Sequence, residues 1–189
     1  MKKMMMLALC FSTVAWFPLR AQEFSISSNL LDWATLGTVN LQAGVSFTRH
    51  LSLHAGARYN NWDFGSEEEG TAFQRRARAV SLGARYWPWN VYSSWWFGAR
   101  GQVEEYNRGG LFKKQLTEEG VAAGLCLAVG YSRMLSNHWN LDIGLGGWGG
   151  RSWYDQYRCP RCGRKVKADA KKWFIEPSND IQVSLTYIF

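Results

Sequence analysis

A strict alternation of apolar and polar residues, recurring along most of the chain, limits the possible folds more than any other feature of the sequence. It is clearest at the C-terminus, where Ile181, Val183, Leu185, Tyr187 and Phe189 alternate with Gln182, Ser184 and Thr186. The same period of two runs through Val39–Phe47, Leu51–Tyr59, Val80–Tyr86, Trp95–Val103, Val121–Tyr131 and Trp139–Leu145. A first, less regular segment spans about Phe24 to Trp33. Successive side chains of a strand point to opposite faces, so this pattern predicts strands with one apolar and one polar face. It yields eight strands, each near the roughly 9–11 residues that cross a bilayer at a tilt. Beyond the N-terminal segment no run of 18 apolar residues occurs, which excludes a bundle of membrane helices.

The connections alternate in length. Arg49-His50, Pro88 to Tyr92 and Ser136-Asn137 are tight, whereas Asp63 to Gln74, Asn107 to Thr117 and Asp155 to Glu176 read as long polar loops. Short turns at one end and long loops at the other are the asymmetry of outer-membrane barrels. The 11 tryptophans fit this scheme. Trp87, Trp89, Trp95 and Trp139 flank the short turns. Trp62, Trp153 and Trp173, with Tyr59, Tyr106 and Tyr154, flank the long loops. Together they predict two aromatic girdles at the lipid–water interfaces. The expected fold is all-β: an eight-stranded antiparallel up-and-down transmembrane β-barrel. A soluble periplasmic β-sandwich that binds a ligand is the alternative.

Residues 1–21 have the form of a signal peptide. Lys2 and Lys3 precede the apolar run Met4 to Phe17, and Ala21 offers a cleavage point, leaving 22–189 as one barrel domain. The expected location is the outer membrane of a Gram-negative envelope. Removing Lys2, Lys3 and Arg20 leaves 19 of the 22 basic residues against all 15 acidic ones, a formal charge of +4 rather than +7. That charge is too modest to suggest nucleic acid. The partners expected instead are outer-membrane lipid and, through the long loops, lipopolysaccharide or surface proteins.

Several short stretches carry a family resemblance: Asn29-Leu30-Leu31, Tyr59-Asn60-Asn61-Trp62, Arg85-Tyr86-Trp87, Trp139-Asn140-Leu141-Asp142, and Tyr154-Asp155-Gln156-Tyr157-Arg158-Cys159 followed by Cys162-Gly163 and the ending Pro177 to Phe189. The chain resembles a family of small outer-membrane barrel proteins defined only as a domain of unknown function. It departs from that pattern at Gly44, where an acidic residue is expected, and at Asp142, where Glu is usual. The resemblance implies fold and location but no reaction.

Two constellations could carry chemistry. Cys159-Pro160-Arg161-Cys162 admits a disulfide across a loop tip, half of a shared zinc site, a redox dithiol or free thiols. No second ligand pair stands nearby, so neither a metal nor a cofactor is expected. His54, Arg58, Arg85, Arg100, Glu104 and Asp142 fall on the polar face, and there they form a candidate lumen charge network. Buried charges need partners, so Asp142 is expected to pair with one of the arginines. The three histidines, His50, His54 and His138, provide no evident base for a nucleophile, so no enzyme is expected. The role expected is structural or surface-interactive, with a narrow channel or small-ligand carrier using the lumen charges as the alternative.

Overall fold

The structure, a computed structural model, describes residues 24–34, 38–64, 73–109, 116–158 and 165–189. Residues 1–21, expected to be a signal peptide, lie outside the described residues together with Cys159 and Cys162, as does the side chain of Trp62. Eight strands follow one another: β1 (Phe24–Asn29), β2 (Val39–Thr48), β3 (Leu51–Phe64), β4 (Phe73–Tyr86), β5 (Ser94–Gly109), β6 (Thr117–Met134), β7 (Trp139–Tyr157) and β8 (Lys165–Ile188). A short helix, α1 (Leu30–Ala34), stands between β1 and β2. Each strand pairs antiparallel with the next, and β1 pairs with β8, closing the barrel. Closure overturns the sandwich alternative, because no strand is left with an open edge to define two sheets.

The wall is built inside out. Leu125 and Leu127 on β6 are 70% and 69% exposed, while Cys126 between them is 1% exposed. Val80, Leu82, Phe97, Ile143 and Ile181 also point outward, whereas Ser52, Gln102, Asn140, Asp142, Ser152 and Thr186 are buried. Among the described buried residues, polar and charged side chains outnumber hydrophobic ones. The register also climbs around the ring. Followed from Ser25 through Gly44, His54, Gly83, Arg100, Cys126 and Trp148, it arrives on β8 at Glu176, although Ser25 itself pairs with Ile188. That stagger is what tilted strands need in order to close.

Four sequence expectations are corrected. The first strand ends at Asn29 rather than Trp33. The Asn29 side chain accepts from the Leu31 N–H at 3.2 Å and from the Val183 N–H at 3.0 Å, so it caps α1 while tying it to β8. The last long loop is mostly strand: β7 runs to Tyr157 and β8 begins at Lys165, so much of Asp155 to Glu176 is paired hairpin. Trp87 is not a girdle residue. It is 0% exposed, inside the barrel, because the alternation that turns Tyr86 outward turns the next residue inward. Tyr106 is buried for the same reason, and Tyr154 packs against that inner cluster. Trp89, Trp95, Trp139, Trp153 and Trp173 do face outward.

Candidate functional site

The barrel interior divides into three levels, and the short-turn end is closed. Trp87, Tyr92, Trp96 and Ile188 form an apolar plug, with Val91 and Ala128 against it. The connection from β4 to β5 folds inward to deliver Tyr92, which adopts a left-handed conformation at φ 61°. Its carbonyl accepts from Asn140 Nδ2 at 2.5 Å and from the Ser132 hydroxyl at 3.1 Å, which fixes the fold-back. Room for the Trp96 indole comes from glycine: a Cβ at Gly130 or Gly144 would overlap its ring. The small residues of the inner face are therefore the space that the large ones occupy.

Above the plug lies a charged centre. Arg85 stands 4.2 Å over the Trp96 ring, 3.7 Å from Asp142, and donates to Gln182 at 3.2 Å. Thr186 donates to the same Asp142 oxygen at 2.6 Å. Beside it, the Trp87 indole N–H donates to Ser52 Oγ at 2.8 Å, and Ser52 contacts His54 Nε2 at 2.8 Å. This serine–histidine contact is covered by Trp87, and Ser52 is wholly buried. Two voids of about 20 and 40 Å³ are the spaces around Arg85 and Arg100. Each has room for little more than a water or two.

The third level is a polar chain rising to the long-hairpin end. Arg58 and Arg100 donate to Gln102 Oε1 at 3.2 and 3.5 Å, and Gln102 donates to Glu104 at 3.4 Å. Arg108 caps the chain with a 2.7 Å bond to Glu104. Above it opens a cavity of about 380 Å³ lined by α1, β3, β4 and β5, including Asp32, Arg58, Asn60, Arg75, Glu104 and Arg108. A second inner cluster, Tyr106, Ala122, Cys126 and Trp148, fills the β5–β7 side, with Tyr106 bonded to Ser152 at 2.5 Å. Cys126 is buried in that cluster. Among the described residues, no three His, Cys, Asp or Glu side chains converge as a metal site.

A family model described as a protein of unknown function, DUF3575, matches residues 4–189. The chain belongs to that family. No curated protein matches it. In this DUF3575 chain the six polar-face residues singled out from sequence all line the interior, but they form separate groups. Arg85 and Asp142 pair at the centre, His54 joins Ser52, and Arg58, Arg100 and Glu104 meet through Gln102. Sequence reasoning missed Gln102 as the hub, and it missed Arg75, Arg108 and Asp32 at the mouth. Gln102 and Arg108 share the parity of Arg100 and Glu104 along β5. Continuing the alternation past the apolar residues would have found them.

Proposed function

We propose that this chain is an outer-membrane protein that serves a structural or surface-interaction role, with neither catalysis nor conduction. One observation carries the reading: an exposed apolar wall encloses a polar interior on a closed ring of strands. In water such a surface would aggregate, whereas in lipid it is solvated, and the closed ring of ladders pairs the backbone of the wall within the barrel. The outward Trp89, Trp95 and Trp139 near the short turns, and Trp153 and Trp173 toward the other end, suit the two lipid–water interfaces. The short-turn plug argues against a channel, since the voids above it are water-sized. The basic residues of the tall β7–β8 hairpin, Lys165, Lys167 and Lys171, are exposed and suit an acidic partner such as lipopolysaccharide or a surface protein.

Membrane fractionation followed by an unboiled gel tests the location. The protein is expected in the outer-membrane pellet and is expected to migrate faster before boiling than after. A soluble fraction with no mobility shift would overturn the proposal. In planar bilayers the purified barrel should give no discrete conductance steps, and regular single-channel openings would revive the channel alternative.

A further inference from the structure

The mouth of the barrel contains an electrostatic cost that the wall itself does not explain. Arg75 on β4 and Arg108 on β5 are direct cross-strand partners, and both line the cavity of about 380 Å³. Like charges directly opposite on a ladder destabilise it. Arg108 is held in place by Glu104 at 2.7 Å and by the Tyr106 ring at 5.0 Å, with Glu176 at 4.0 Å. Arg58, the third guanidinium of the cavity, lies 4.0 Å from Asp32 and donates to Gln102. Arg75 has no carboxylate within ion-pair distance among the described residues. Arg75 is exposed at the mouth, and an anion held between Arg75 and Arg108 would offset their repulsion.

The rest of the wall narrows the ligand. Leu31, Ala77 and Ala79 give it apolar surface, and Thr38 and Asn60 give it hydrogen-bonding groups. The volume falls within the roughly 300–1,000 Å³ of small-molecule sites. Guanidinium forks match carboxylate and phosphate oxygens and favour them over neutral hydroxyls. We infer that the mouth cavity binds a small hydroxylated organic anion, a hexose-sized carboxylate or phosphate ester, with its charged group between Arg75 and Arg108. This inference requires only the folded barrel and does not depend on membrane location.

Titration calorimetry on the full chain, folded in detergent, would test it with glucuronate, glucose 6-phosphate and uncharged glucose. At least one of the two anions should bind saturably while glucose does not; which one binds tells carboxylate from phosphate recognition. Arg75→Gln should weaken that binding at least tenfold, Arg75→Lys should weaken it less, and Arg151→Gln on the outer face should leave it unchanged. Without ligand, Arg75→Gln should melt at or above the wild-type temperature, because it relieves the repulsion; a purely structural arginine would lower it. Arg108→Gln supplies a second test of the same site should Arg75→Gln not fold. The inference is overturned if neither anion binds saturably, if glucose binds as well as the anions, or if loss of the Arg75 charge leaves the affinity unchanged.

Discussion

Asp142 is 2% exposed, and its carboxylate is shared between Arg85 and Thr186 at the centre of the barrel. Removing one partner of a buried ion pair leaves the other charge uncompensated, at a cost of about 3–5 kcal/mol. Asp142→Ala is therefore expected to lower the unfolding free energy by about 3 kcal/mol or more in urea titrations read by gel mobility. Arg85→Met combined with Asp142→Leu should recover much of that loss, because both charges go together and the volume is kept. If the double variant is no better than Asp142→Ala, the pairing is not what Asp142 contributes. The position of both residues was legible from parity alone: Arg85 and Asp142 sit between outward apolar neighbours. Which arginine would meet Asp142 was not, because that depends on the stagger of the ring, which brings β4 and β7 side chains together across the lumen.

At the level of elements, the β7–β8 hairpin carries its own stabilising contacts above the apolar wall. Lys165 Nζ donates to one Asp155 oxygen at 2.6 Å, and the Asp169 N–H donates to the other at 2.8 Å. Asp169 has a left-handed backbone at φ 52°, so Asp155 fixes a conformation that a non-glycine residue adopts reluctantly. The Lys165 hydrogen bond, and after it the Asp169 amide, hold the Asp155 carboxyl below its usual range, and Asp155 in turn raises the Lys165 ammonium. The Asp155 contribution is thus present above the unfolded value of about 3.9 and is lost as pH falls through the lower folded value. The Lys165 contribution is present below about 10.4 and is lost as pH rises through its higher folded value. Exchange protection of the Asp169 amide should be flat between those limits and drop at acid pH. Asp155→Asn should show low protection throughout, and a protection equal at acid and neutral pH would separate the turn from this carboxylate. This hairpin was hidden in the sequence because the signal used to find strands is hydrophobic. Where the outward positions change from Leu and Ile to Lys and Asp, the alternation loses its contrast although the ladder continues. The five residues of α1 were missed for a different reason, being too few to show a helical period. Trp87 and Tyr106 were misplaced when aromatic character was weighed above parity.

On the scale of the whole molecule, the fold sorts tryptophans into two populations. Trp89, Trp95, Trp139, Trp153 and Trp173 face outward, while Trp87, Trp96 and Trp148 are enclosed. If the wall contacts lipid, brominated lipids should quench the first group. Replacing Trp95 or Trp139 by Phe should reduce the quenchable fraction of the emission, and replacing Trp96 or Trp148 should not. Equal losses from both groups would show either that the ring is open or that it lies outside the bilayer. The closing contact has a further consequence. The Phe189 N–H bonds to the Phe24 carbonyl at 3.0 Å, so the last residue of the chain lies beside the first residue of β1. A circle of antiparallel ladders has no inherent starting point. A circular permutant that links Phe189 to Phe24 and is reopened between β3 and β4 would retain every ladder of the ring, while its new ends would emerge at the opposite rim.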